Sequence, residues 1–122
     1  MPDLHPLMLK RAYAPASPDD GRRILVERLW PRGLGKDEAK VDLWLKEVAP
    51  SHALRRWFHE APDARWAAFQ DRYRDELRAA AAALAQLRGL AEGEAVTLLF
   101  AARNEACNSA VVLKSVLEEG LA

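Results

Sequence analysis

Two apolar runs constrain this chain more than any other feature. One is Arg23 to Trp30 (R-I-L-V-E-R-L-W) and the other is Ala95 to Ala102 (A-V-T-L-L-F-A-A). A strand with one wet face alternates apolar and polar residues. A strand covered on both faces, as in a parallel sheet, is apolar almost throughout. Between and beyond these runs the apolar residues recur at helical spacing: Trp66, Phe69, Tyr73, Leu77, Ala80, Leu84 and Leu87, then Ala110, Leu113, Val116 and Leu117. Strands interleaved with helices predict an α/β fold, with a mostly parallel sheet of about four strands flanked by helices in a small, Rossmann-like layered arrangement.

Turn and cap residues divide the chain further. Residues 1–7 contain Pro2 and Pro6 and read as a flexible N-terminal tail, leaving residues 8–122 as a single domain of common size. Met8 to Arg11 is a short strand, followed by a dense turn signal from Pro15 to Gly21. The second strand, Arg23 to Trp30, stops at Pro31 and Gly33. Val41 to Val48 fits both a helical face and strand alternation; its short length and Pro50 favour a strand. Ser51 caps a short helix to about His59, and Pro62 opens a longer one that Gly89 closes. Asn104 caps the last helix, which runs to Glu119 and stops at Gly120.

The charge balance excludes several function classes. Eighteen basic residues meet eighteen acidic ones, so a general nucleic-acid binder and an anionic-membrane binder are both disfavoured. Cys107 is the lone cysteine, which forbids an intrachain disulfide and suits a reducing compartment. No run approaches the roughly 20 apolar residues of a membrane helix, and no signal-peptide pattern opens the chain. The expectation is a cytoplasmic protein that does not engage membrane. His5, His52 and His59 form no chelating spacing, so no metal is expected. Gly35-Lys36 lacks the rest of a P-loop, and Gly33-x-Gly35 has no third glycine, so no cofactor is implied.

In an open parallel sheet, ligands bind beyond the carboxyl ends of the strands. The residues leaving the expected strands are Arg11, then Arg28, Trp30, Arg32 and Gly33, then Trp44, Lys46 and Ser51, then Arg103, Asn104 and Asn108. Arginine's planar fork matches carboxylate and phosphate, and helix amino ends near Ser51 and Asn104 add N–H donors. This constellation reads as a pocket for a small anion. The competing reading pairs these arginines with Asp19, Asp20, Glu27 and Asp42 to fix loops. Glu27 and Arg28, expected mid-strand and buried, read most simply as ion-paired with a neighbouring strand or helix; as a functional group Glu27 would be a general base or ligand-orienting carboxylate with a shifted pKa. Cys107, expected in the first turn of the last helix, could be a nucleophile, although an inert thiol is the simpler reading.

Taken together, the segments L-K-R-A-Y, S-P-D-D-G, L-V-E-R-L-W-P-R-G, D-L-W-L-K-E-V-A-P-S, L-R-R-W-F and T-L-L-F-A-A-R-N-E-A-C-N-S-A-V-V-L resemble the YeaO-like family, domain of unknown function 488, a bacterial and archaeal group. The resemblance runs from about Met8 to the end. It implies a compact α/β protein without an established activity, and its pattern covers Arg28, Trp30, Pro31, Arg32, Gly33, Trp44, Lys46, Pro50, Ser51, Arg103 and Asn108. The family pattern R-D-E-x-H-N is altered here: Asn104 and Cys107 stand at the aspartate and histidine positions. A base or metal ligand at either position would be lost.

Two functions remain open. The first is binding of, and conceivably action on, a small phosphate- or carboxylate-bearing molecule. The second is a non-enzymatic protein- or nucleic-acid-interaction module that uses the Trp30–Gly35 loop. The sequence carries no signal of oligomeric state.

Overall fold

The run around Leu98 occupies an inner position of a four-stranded, wholly parallel sheet. The computed structural model describes residues 4–121. The strands are β1 (Leu7–Arg11), β2 (Arg22–Leu25), β3 (Leu43–Trp44) and β4 (Val96–Phe100), in the order β1-β4-β2-β3. In register, Leu98 lies beside Leu9 on one side and Ile24 on the other. Every residue of β4 is buried, which accounts for its unbroken apolarity. Each fully buried leucine there stabilises the fold by roughly 1.5–3 kcal/mol.

The helices are α1 (Lys36–Ala39), α2 (His52–Glu60), α3 (Pro62–Ala79), α4 (Ala81–Gly93) and α5 (Ser109–Glu119). Ile24, Leu98 and Phe100 belong to one core cluster with Leu54, Phe58, Phe69, Tyr73, Leu77, Leu87, Leu113 and Leu117. Hence α2 to α5 cover one face. On the other face Leu25, Leu99 and Ala12 form a smaller cluster under Trp30, Leu34, Val41 and Trp44. The sidedness obeys the handedness of parallel crossovers. The β1–β2 and β2–β3 connections move one way across the sheet; the β3–β4 connection returns the other way and so lies on the opposite face.

Five sequence expectations change. The second strand ends at Leu25, not Trp30, because β3 is only two residues long and offers no ladder beyond Trp44. The Glu27 carbonyl accepts instead from the Trp44 indole at 2.6 Å. Glu27 and Arg28 therefore lie past the strand, not within it. The long helix expected from Pro62 to Gly89 breaks at Ala80, whose N–H is shared between Glu76 and Leu77 at 3.1 Å. Unbroken, it would extend about 40 Å, beyond the roughly 30 Å of a small domain; the break returns Leu87 and Ala91 to the core. The last helix begins at Ser109, capped by Asn108, which accepts from the Val111 N–H at 3.1 Å. Asn104 caps a preceding turn, so Cys107 lies before the helix rather than in it. Of the expected tail, residues 1–3 lie outside the described residues. Leu7 opens β1, and the His5 N–H donates to Ala91 at 3.0 Å. The segment 41–48 is a strand only at Leu43–Trp44, followed by a 3-10 turn at Lys46–Val48.

Candidate functional site

Adjacent β2 and β4 send their chains to opposite faces as they leave the sheet. That divergence opens a crevice at their carboxyl ends. A cleft of about 560 Å³ lies there, between the Glu27–Arg32 segment, the Ala101–Ser109 segment and α2. Its volume falls in the range of small-molecule sites, roughly 300–1,000 Å³.

Four guanidinium groups line the cleft: Arg28, Arg32, Arg55 and Arg103. Arg28 is committed to the fold. Its Nε donates to the Pro50 carbonyl at 3.1 Å and its Nη2 to Ala49 at 2.9 Å, which clamps the chain just before Ser51. Arg32, Arg55 and Arg103 make no ion pair among the described residues. Arg32 and Arg103 are exposed and reach the same cleft from separate loops. The apolar wall comes chiefly from Trp30, Pro50, Phe58 and Phe69, with Phe58 stacked on Phe69 at 4.4 Å between centroids.

Glu27 also lines the cleft and is 9 % exposed. Burial pushes its carboxyl above the ordinary range, against the opposing pull of the Arg55 charge and the Ala101 N–H. It has no ion-pair partner among the described residues, so the internal ion pair with a neighbouring strand or helix that its buried position suggested is not formed. His59, at the rim, is held below the usual imidazole range by burial and by Arg55. Beneath the site the Tyr73 hydroxyl donates to the Val48 carbonyl. Burial, with Glu27 and Glu76 nearby, drives its pKa upward.

Asn104 accepts from the N–H groups of Ala106 and Cys107 at 2.9 and 3.0 Å, and the Asn108 amide donates to the Asn104 carbonyl at 2.9 Å. These bonds shape the loop that brings Arg103, Asn104, Cys107 and Asn108 to the cleft. No hydrogen bond joins the Cys107 thiol to Glu27 or His59 among the described residues.

The other candidates stand away from the cleft lining. Arg11 donates from Nε to Ala102 at 3.0 Å and from Nη2 to Ala101 at 3.1 Å, bracing the chain as it leaves β4. Trp44 packs edge-on against Trp30 at 5.5 Å, and Lys46 sits over the Trp44 ring at 4.1 Å. Ser51 caps α2 and donates to Glu76 at 2.6 Å. Gly33, at φ +75°, turns the loop with open space around it. Of the expected acidic partners, Asp20 pairs with Lys10 and Arg23, and Asp42 accepts from the Arg23 N–H at 2.9 Å.

Sequence reasoning missed Arg55. Its signal was its place one turn after the Ser51 cap, on a helix whose amino end faces the strand ends. Phe69 reads as core; both it and Phe58 are core, and both also line the cleft. Among the described residues no group of three or more His, Cys, Asp or Glu side chains could hold a metal. No helix there is long and apolar enough to cross a membrane.

Comparison with known proteins adds family and kin. The model of a family described as "Inactive DUF488-N3 subclade" matches residues 6–122. An uncharacterised protein of Mycobacterium tuberculosis, Rv3073c, is 46% identical over 107 residues, covering 88% of this chain and 89% of that one. The uncharacterised YeaO of Escherichia coli is 43% identical over 108 residues, covering 88% and 92%. No solved structure matches.

Proposed function

From the premise that this chain belongs to the YeaO-like DUF488 family, and to its subclade described as inactive, we propose that it binds a small phosphate- or carboxylate-bearing molecule without transforming it. One observation carries the reading: Arg32, Arg55 and Arg103, from three distant segments, line one cleft and pair with no carboxylate among the described residues. Unpaired guanidinium groups around a concave, partly apolar wall are suited to an anion.

The absence of a nucleophile–base contact at Cys107 favours binding over chemistry. So does the subclade's description, with Asn104 and Cys107 in place of the family's aspartate and histidine. The alternative, an interaction surface on the Trp30–Gly35 loop, has less support. The Trp30 indole is turned inward and donates to the Leu34 carbonyl at 2.7 Å, and the large apolar residues exposed nearby are Leu29 and Tyr13.

The test is thermal unfolding in inorganic phosphate against chloride at matched ionic strength. Phosphate should raise the melting temperature of the wild type. Arg32→Ala and Arg103→Ala should each weaken phosphate binding roughly tenfold, the scale of one lost charge-assisted bond. Equal melting in the two salts would sink the reading.

A further inference from the structure

The cleft is chemically lopsided. Its exposed mouth holds Arg32 and Arg103, with the carboxylate of Asp63 also at the exposed lining, while its buried inner end holds the carboxylate of Glu27. A carboxylate has about four acceptor positions, and among the described residues Glu27 makes no ion pair, so the Ala101 N–H and the more distant Arg55 charge are what the protein sets against its burial. A mostly buried charge with so few protein donors is costly unless the cleft it lines supplies the rest. A purely anionic ligand would raise that cost, since it would bring a second negative charge into the same cavity.

Resting on the anion reading above, we propose that the ligand carries a hydrogen-bond donor, an ammonium or a hydroxyl, joined to its anionic group by a short apolar spacer. The donor end lies inward against Glu27, the spacer against Phe58 and Phe69, and the anionic end between Arg32 and Arg103. Each part of the ligand then meets the side chain that its chemistry requires. The burial gradient from Glu27 to Arg103 sets the orientation.

Calorimetric titration of the whole chain with four probes decides the matter: inorganic phosphate, n-propyl phosphate, 2-hydroxyethyl phosphate and phosphoethanolamine. The last three have the same chain length and differ in a terminal methyl, hydroxyl or ammonium. Phosphoethanolamine should bind roughly tenfold or more tightly than propyl phosphate, with the hydroxyl between them. Glu27→Gln should bring that ratio towards one while leaving propyl phosphate bound at least as well. If inorganic phosphate binds but neither donor is preferred, or if the preference survives Glu27→Gln, the donor inference falls and the anion reading stands. If none of the four binds, both fall.

Discussion

Two buried carboxylates flank β2 and are treated in opposite ways. Asp20, just before the strand, is 6 % exposed and is answered on every side. Arg23 Nη1 lies 2.6 Å away, Lys10 Nζ 3.1 Å away, and the Ser17 N–H donates at 3.0 Å. Arg23 itself spends its remaining donors on the Ala39 and Lys40 carbonyls. Burial alone would raise the Asp20 pKa, but the Ser17 N–H, Lys10 and Arg23 outweigh it and hold the carboxyl below its ordinary value. Glu27, just after the strand, is buried to a similar degree without such partners, and its pKa is raised. The amino end of the sheet uses charge to close the fold. The carboxyl end leaves Glu27, Arg32, Arg55 and Arg103 without ion pairs among the described residues, around one cleft.

The largest effect should come from disturbing the closed end. Asp20→Asn would leave Arg23 buried without its counter-charge and should cost about 3–5 kcal/mol in denaturant unfolding. The wild type should show the same dependence with pH. The folded pKa of Asp20 lies below the unfolded value near 3.8, so its contribution is present above that value and is lost as pH falls through the folded one. In Asp20→Asn this acid limb should flatten. An unchanged acid limb would show that the cluster does not govern acid stability.

A smaller effect of opposite sign is expected at Glu27. Its folded pKa is raised, so protonation favours folding, and that advantage is lost as pH rises through the folded value. Glu27→Gln should therefore stabilise the protein near neutral pH by up to about 1 kcal/mol. The gain should shrink on acidification, when the wild-type carboxyl is itself protonated. A loss of stability at neutral pH would mean that Glu27 is well paired, and the contrast between the two carboxylates would disappear.

The smallest effect belongs to the mouth of the cleft. Arg103 has no ion pair or side-chain hydrogen bond among the described residues, so Arg103→Ala should alter unfolding free energy by less than about 0.5 kcal/mol. A large loss would place Arg103 with Arg23, among the residues that hold the chain together.

Much of this architecture was legible in the residues. The runs Arg23–Trp30 and Ala95–Ala102, the Ser51 cap and the periodicity from Trp66 to Leu87 sufficed for strands, helices and their parallel arrangement, though not for where β2 ends or the helix breaks. The convergence of the Arg32 and Arg103 loops could be anticipated from strand direction alone. The fate of individual charges could not. Arg11, Arg23, Arg28 and Arg103 look alike in sequence, yet one braces β4, one is sealed against Asp20, one clamps Pro50 and one faces the cleft.

By itself, then, the sequence determined what repeats locally: where apolar side chains recur every second or every third to fourth residue, and which small polar residues can cap a turn. Those signals arise from backbone geometry and act over a few residues. The tertiary structure decided where β2 stops, where the helix after Pro62 breaks, and which buried acid receives a partner. Those outcomes depend on groups distant along the chain, such as Arg28 meeting Ala49 or Arg11 meeting Ala102. A long flexible side chain can satisfy its hydrogen bonds with any carbonyl in reach, and only the packed fold brings a particular carbonyl there.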